Sequence, residues 1–123
     1  VLADAEGEQR VVLILGDMLE LGDKAELMHA QLGERIAAHP NADQIDLILL
    51  AGLHVQSTVR ALASSGWPGD RMAHEPDVDD TAMEHIASML LPGDMVLLKG
   101  SRGMALERVL ACRRAMEMEE SRP

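Results

Sequence analysis

The sequence predicts a three-layer α/β fold, in which helices cover both faces of a mainly parallel sheet of about four or five strands. Two observations support this prediction. Short aliphatic runs and amphipathic stretches take turns along the chain, as they do in repeated β-α units. The aliphatic runs also lack the apolar–polar alternation of a half-exposed strand, which is typical of strands covered on both faces. With right-handed crossovers, such a sheet is Rossmann-like.

Three aliphatic runs predict the main strands. They cover residues 11–15, 46–51 and 95–98, and a glycine follows each run within two residues. A weaker run at residues 71–74 predicts a fourth strand at an edge of the sheet. The resulting order, β-α-β-α-β-α-β-α, favours a doubly wound parallel sheet.

Apolar residues at helical spacing predict four helices between and after the strands. Asp23 and Glu26 have the spacing of a capping box at the start of the first helix. The carboxylates of residues 77–80 suit the start of the third. The fourth runs into a charged C-terminal tail. The four apolar stripes are Ala25, Met28, Leu32 and Ile36; Val55, Val59, Leu62 and Ala63; Met83, Ile86, Ala87 and Leu90; and Leu106, Val109 and Leu110.

Length and composition exclude several classes of protein. The chain has 123 residues, the length of one domain, and a formal charge of −10 that would repel a phosphate backbone. Trp67 is the only aromatic residue, so the chain also lacks platforms for base stacking. We therefore expect no nucleic-acid partner.

Targeting and redox features are also missing from the sequence. No apolar run approaches the roughly 20 residues of a membrane helix, so we expect no membrane insertion. Residues 1–7 lack the pattern of a signal peptide, and Cys112 is the only cysteine. These features favour a cytoplasmic location, without a disulfide or a cysteine-based metal site. Residues 1–7 resemble the end of a helix, which suggests that the chain is part of something larger.

The first candidate site lies in the loop after the first strand. In open α/β sheets, ligands bind beyond the carboxyl ends of the strands, and Asp17 and Glu20 place carboxylates there. One interpretation is that such a carboxylate orients a metal-bound phosphate, a water or a lysine. The other, equally open, is that Asp17 caps a turn while Glu20 is solvated.

The second candidate site is the loop of residues 99–103. Lys99 and Arg102 reverse the sign of an otherwise acidic chain, which favours an anion site. Gly100 and Gly103 would let the backbone approach a ligand, and Ser101 could cap a helix whose N–H groups face it. The alternative is a serine cap flanked by two solvated cations. The pattern is not a P-loop, and no histidine pair has the spacing of a metal site.

The letters of these two loops resemble the C-terminal domain of the Mur ligase family. The matching stretches are Leu15-Gly-Asp-Met-Leu-Glu-Leu-Gly22 and Lys99-Gly-Ser-Arg-Gly-Met104, with His29, Gly33 and Glu107-Arg-Val109 in the same order. The resemblance runs from about residue 10 to residue 110. It is strongest to the branch of the family that adds D-alanyl-D-alanine to UDP-N-acetylmuramoyl-tripeptide in peptidoglycan synthesis.

This resemblance implies a three-domain ligase, of which residues 1–123 form the C-terminal domain. ATP would phosphorylate the tripeptide carboxylate, and the amine of the dipeptide would attack the acyl phosphate. The central domain would hold most of the ATP and Mg²⁺ contacts, and the N-terminal domain would hold the UDP-sugar peptide. Because the sequence contains neither domain, we expect this chain to be inactive alone and to hold no metal and no catalytic residue of its own.

The resemblance also implies roles for the two loops. The C-terminal domain would close over ATP and bind the incoming dipeptide. The expected substrate- and nucleotide-orienting residues are Asp17, Glu20, Lys99, Gly100, Ser101, Arg102 and Gly103. For His29 the resemblance implies no definite role, and packing of the first helix is the expectation.

A different class of function remains as an alternative. Asp17 and Lys99 could converge at one rim of the sheet, as an acid and a lysine do in flavodoxin-like phosphoacceptor modules of signalling proteins. Against this, such modules need an acidic pair after the first strand and an acceptor aspartate after a central one. Here the second strand ends in Ala51-Gly52.

Overall fold

The computed structural model describes residues 9–120, and the prediction for residues 1–7 lies outside this range. Within it, four strands form one sheet in the order β3-β2-β1-β4, and all three pairings are parallel. The strands are β1 (Val11–Gly16), β2 (Leu47–Ala51), β3 (Met72–Glu75) and β4 (Met95–Lys99). The helices are α1 (Ala25–Ala38), α2 (Val55–Ser64), α3 (Asp80–Ala87) and α4 (Arg108–Glu120). The predicted α/β class, parallel sheet and edge position of β3 are confirmed.

Successive strand residues divide the core into two halves. Leu15 of β1 and Leu50 of β2 are register partners, and their side chains pack against α1 and α2. Ile14 and Leu49 are the preceding register pair, and they pack against α3 and α4 on the other face. The sheet is therefore the middle of three layers, because neighbouring side chains of a strand point to opposite faces.

Helices α1 and α2 pack closely through small residues. A methyl group at Gly33 would lie 2.7 Å from the Thr58 carbonyl oxygen and 2.9 Å from Ala61 Cβ. The buried side of α1 therefore carries Ala25, His29 and Gly33. The predicted stripe is wrong at Met28, which is 39% exposed, because the tight contact with α2 turns that side of the helix toward solvent.

A predicted carboxylate caps the start of α3, but none caps the start of α1. Asp79 is the N-cap of α3, and its Oδ1 accepts a hydrogen bond from the Ala82 N–H at 2.9 Å. This confirms the prediction for residues 77–80. The capping box of Asp23 and Glu26 is wrong, because a 3₁₀ turn at Gly22–Lys24 precedes α1 and no side chain caps it.

Strand β4 is more exposed than its sequence predicts. Met95, Leu97 and Leu98 are 45%, 53% and 38% exposed, although β1 and β2 are largely buried. Within residues 9–120, β4 pairs only with β1 and forms an edge of the sheet. The prediction of cover on both faces is thus wrong for β4 in this part of the chain.

Helix α4 also differs from its prediction. It begins at Arg108 rather than at Leu106, and it continues to Glu120 through the segment that we expected to be a charged tail. Arg113 supports that segment with two ion pairs. Its partners are Glu117, one helical turn further along, and Glu120. None of the helices within residues 9–120 is long and apolar enough to span a bilayer.

Candidate functional site

The carboxyl ends of the parallel strands bring the two predicted loops to the same rim of the sheet. Strands β1 and β4 are neighbours, with Leu15 in register with Lys99, so the loops that follow them start side by side. The chain after β2 reaches the same rim at Gly52. The two predicted loops therefore lie at the edge where open α/β sheets bind ligands.

Asp17 points into the fold at this rim. Only 6% of its surface is exposed, and both carboxylate oxygens accept hydrogen bonds from the start of α2. Oδ1 accepts from the Val55 N–H at 2.9 Å, and Oδ2 from the Leu53 N–H at 3.1 Å. A negative charge at a helix start also interacts favourably with the helix dipole. These contacts give Asp17 a structural role, and a part in orienting substrate stays a prediction.

Ser101 joins the two loops. Its backbone N–H donates to the Asp17 carbonyl at 3.1 Å, and its Oγ accepts a hydrogen bond from the Leu19 N–H at 2.7 Å. The structure places Ser101 before a 3₁₀ turn, Arg102–Met104, without a side-chain cap. The expected cap at the start of the last α-helix is therefore wrong, because α4 begins only at Arg108.

Two glycines allow the backbones of the two loops to meet. A methyl group at Gly100 would lie 3.2 Å from the Gly16 backbone and 3.0 Å from Leu106 Cδ1. A methyl group at Gly16 would come within 2.9 Å of the same Leu106 atom. These contacts account for both glycines by packing. Close approach of a ligand to Gly100 or Gly103 stays a prediction.

Glu20 stands at the exposed tip of the first loop. Its φ of 66° lies in the left-handed region, which residues with a side chain rarely adopt. Its side chain is exposed, as the solvated alternative requires and as a substrate contact also would. Backbone strain of this kind is often found at functional sites, where surrounding contacts hold it in place.

Lys99 and Arg102 are exposed on the second loop. No ion pair within residues 9–120 involves either side chain, although the chain carries 21 acidic residues. Two cations without a carboxylate partner can accept an anionic ligand group without first breaking an internal bond. This cationic loop, residues 99–103, is the strongest chemical feature of the rim.

Arg108 anchors the end of the cationic loop, and sequence reasoning missed this role. Its guanidinium donates to the carbonyls of Val78, Met104 and Ala105, and forms an ion pair with Asp80 at 3.1 Å. Ala105 has a φ of 50°, so the chain turns sharply just before α4. Only the letters Glu107-Arg-Val109 in the resemblance gave a signal for it.

The rim and an apolar cavity lie at different ends of the sheet. The cavity, of about 460 Å³, is lined by Val11 and Met95 at the starts of their strands and by Ile36 and Ile45. It lies away from the carboxyl ends where the polar loops meet. No group of three or more His, Cys, Asp or Glu residues in the described part of the chain could hold a metal ion.

The family comparison agrees with the two loops and extends beyond them. Residues 1–102 match the model of the Mur ligase, glutamate ligase domain. The chain belongs to this family. It is a Mur ligase C-terminal domain, and the match includes the rim loop of Asp17 and most of the cationic loop.

Curated relatives and solved structures give a more specific picture of this Mur ligase domain. It is 33% identical over 105 residues to the UDP-N-acetylmuramoyl-tripeptide–D-alanyl-D-alanine ligase of Bacillus subtilis, and 34% identical over 113 residues to that of Escherichia coli. These alignments cover 85% and 89% of this chain but 22% of each relative. The domain thus spans about a fifth of the length of the curated relatives.

Two solved structures share its fold. Its TM-score is 0.67 against MurF of Acinetobacter baumannii, at 22% identity over 88% of this chain and 23% of that one. It is 0.61 against MurF of Thermotoga maritima in complex with ADP, at 20% identity over 93% of this chain and 24% of that one.

Family membership and geometry both disfavour the phosphoacceptor alternative. That alternative needs the acid after the first strand to be free for a ligand, whereas both Asp17 oxygens accept hydrogen bonds from the N–H groups of Leu53 and Val55. Asp17 directly follows β1 and Lys99 ends the neighbouring strand β4, so the two residues do lie at one rim, as that alternative required. That proximity is instead explained by the Mur ligase fold.

Proposed function

We propose that this domain is part of an ATP-dependent ligase that adds D-alanyl-D-alanine to UDP-N-acetylmuramoyl-tripeptide in the cytoplasm, during peptidoglycan synthesis. Relatives with that name match most of the chain. The observation within the domain that carries the proposal is the cationic loop, whose Lys99 and Arg102 have no ion-pair partner in residues 9–120.

In this proposal the cationic loop binds the carboxylate of the incoming dipeptide. That carboxylate stays unreacted, so a fixed cation can hold it throughout the reaction while the amine at the other end is free to attack. Charge-assisted hydrogen bonds to Lys99 and Arg102 would supply affinity and orientation. The bonds of Ser101 to the first loop would keep the cationic loop in place.

The chemistry itself requires parts of the enzyme beyond this domain. ATP would transfer its terminal phosphoryl group to the tripeptide carboxylate, giving ADP and an acyl phosphate. The dipeptide amine would then attack the acyl carbon, lose a proton and expel phosphate, which leaves an amide. Mg²⁺ would assist the phosphoryl transfer from a site outside the described residues, which offer no cluster to hold it. This domain would contribute by closing over ATP and positioning the amine.

The test uses the full-length ligase that carries this domain. Lys99→Ala and Arg102→Ala are expected to raise the KM for D-alanyl-D-alanine about tenfold or more, since each removes a cation from the carboxylate. ADP release that depends on the dipeptide provides the measurement. Arg60→Ala and Arg114→Ala are matched controls, because both arginines are exposed and lie outside the rim loops.

Two results would contradict the proposal in different ways. If the unmodified enzyme released no ADP in response to D-alanyl-D-alanine and the UDP-tripeptide, the proposed reaction would be wrong. If it did so but Lys99→Ala and Arg102→Ala behaved like the controls, the reaction would stand and the assignment of the cationic loop would be wrong.

A further inference from the structure

His29 is a buried histidine that the proposed reaction does not use directly. None of its surface is exposed. Its Nδ1 lies 2.6 Å from the Ala25 carbonyl oxygen, and its Nε2 lies 3.0 Å from the Met18 nitrogen. A carbonyl can only accept and an amide N–H can only donate, so Nδ1 carries the proton and Nε2 accepts. The ring is therefore neutral, with one defined tautomer.

Helix α2 and its N-cap residue, His54, contact His29. The His54 ring stacks on His29 with centroids 5.7 Å apart and an angle of 29° between the planes. Thr58 Oγ1 donates to the His29 carbonyl at 2.7 Å. One turn further along α1, Gly33 packs directly against the Thr58 backbone. The packing of α1 against α2 thus fixes the position of His29.

The His29 ring binds the first rim loop through the Met18 N–H. Three consecutive loop residues are tied: the Asp17 carbonyl to Ser101, the Met18 N–H to His29, and the Leu19 N–H to Ser101. Glu20, the next residue, has the left-handed φ of 66°. Such a conformation persists when the surrounding structure imposes it. His29 supplies the tie to Met18 in the middle of this set.

We propose that His29 is a positioning residue for dipeptide binding, a role that rests on the proposed function of the rim. It touches no substrate. By holding the Met18 N–H, it sets the path of residues 17–20 and so keeps Asp17 and Leu19 on Ser101 of the cationic loop. Loss of this hydrogen bond would leave Lys99 and Arg102 unchanged but would let residues 17–20 move.

Two substitutions separate the two nitrogen contacts in the full-length ligase. His29→Gln places an amide oxygen near the position of Nε2, where it can still accept from Met18. His29→Asn places an amide nitrogen near the position of Nδ1, where it can still donate to Ala25 but cannot reach Met18. We expect His29→Asn to lower kcat/KM for D-alanyl-D-alanine about 10- to 100-fold. We expect His29→Gln to stay within about threefold of the unmodified enzyme.

A merely structural role predicts a different pattern. Asp94→Asn weakens the ion pair with Arg10 at the opposite end of the sheet, away from both His29 and the rim loops, so it serves as a destabilised control. Its Tm should fall while its KM for the dipeptide, measured well below that Tm, stays unchanged. Equal kinetics for the Asn and Gln variants of His29, or an equal loss in Asp94→Asn, would overturn the proposal.

Hydrogen–deuterium exchange tests the same idea without any activity. Amide exchange in the peptide covering residues 17–20 should be faster in His29→Asn than in His29→Gln or the unmodified protein. Unchanged exchange in His29→Asn would overturn the positioning role whatever the kinetics. Faster exchange with unchanged kinetics would overturn it too. Failure of dipeptide-dependent ADP release in the unmodified enzyme would instead count against the proposed function alone.

Discussion

At the scale of single residues, Asp17 shows how a candidate site residue can be a structural one. Its carboxylate accepts from the N–H groups of Leu53 and Val55 and lies almost fully buried. The sequence left two interpretations open, a substrate contact and a cap, and the contacts of the side chain favour the cap. The backbone of Asp17 still belongs to the rim, because its carbonyl binds Ser101.

Replacing Asp17 tests the strength of this cap. Asp17→Asn keeps one oxygen but turns an NH₂ group toward the other backbone N–H, and it removes a charge from the start of α2. We expect a loss of about 1–3 kcal/mol in the free energy of unfolding, measured by urea titration. Glu20→Gln, an equally small change at an exposed side chain of the same loop, should stay within about 0.5 kcal/mol. Equal effects of the two changes would contradict the cap.

The sequence could identify candidate site residues where the residue type alone gives the charge or the hydrogen-bonding group. The exposed cations Lys99 and Arg102 stood out against an acidic chain, and the structure places them at the predicted rim. The ties made by His29 and Arg108 could not be predicted, because each depends on backbone groups that only the folded chain brings near. Residue type and spacing carry no information about such contacts.

At the scale of elements, strands were easier to predict than helix boundaries. Continuous aliphatic runs marked β1, β2 and β4 to within one residue, since burial in a parallel sheet demands them. The start of α4 was predicted two residues early, because apolar spacing cannot reveal the left-handed turn at Ala105. The exposed side of α1 was missed because its buried side carries Ala25, His29 and Gly33 and no large apolar residue.

The close contact of α1 and α2 gives a prediction at this scale. Gly33→Ala would gain helix propensity worth about 1 kcal/mol, but its methyl group would meet the Thr58 carbonyl and Ala61 Cβ. A backbone carbonyl cannot move aside as a flexible side chain can, so the helices must separate. We expect a net loss of about 1–3 kcal/mol, measured by urea unfolding.

Gly69→Ala is the matched control for this change. Nothing lies within 4 Å of a methyl group at Gly69, so stability should be unchanged or slightly higher. If Gly33→Ala were as stable as Gly69→Ala, the two helices would be farther apart than the structure shows.

At the scale of the whole molecule, one ion pair ties the start of β1 to the turn before β4. Arg10 donates from Nε to Asp94 Oδ1 at 3.0 Å and from its Nη2 to Asp94 Oδ2 at 2.7 Å. Burial alone would raise the pKa of Asp94, but the hydrogen bonds from Arg10 and from the Leu91 N–H outweigh it and lower that pKa. The same pair raises the pKa of Arg10, chiefly through the hydrogen bond to Asp94.

This lowered pKa predicts a contribution to acid stability. Because the folded pKa of Asp94 lies below its ordinary value of 3.8, its contribution is fully present above about pH 4 to 5 and is lost as pH falls through the folded pKa. Asp94→Asn should therefore cost about 1–3 kcal/mol at pH 7, and the gap to the unmodified protein should shrink below pH 4. Urea midpoints from pH 7 to pH 2.5 measure this gap.

Asp77→Asn controls for the loss of one negative charge from a chain that carries a net charge of −10. Asp77 is exposed, so its variant should follow the unmodified protein at every pH. A gap for Asp94→Asn that stayed constant with pH would show that ionisation of Asp94 is not the source of the stability, and it would contradict the lowered pKa.

The contact between Asp17 and Gly52 has a consequence for how the sequence can evolve. Gly52 has a φ of 124°, and a side chain there would overlap the carboxylate of Asp17. A lineage can therefore replace Gly52 only after it has given up the carboxylate at position 17, whereas position 17 can change first. Across related sequences, the two positions should vary in that order, with glycine at 52 wherever aspartate stands at 17.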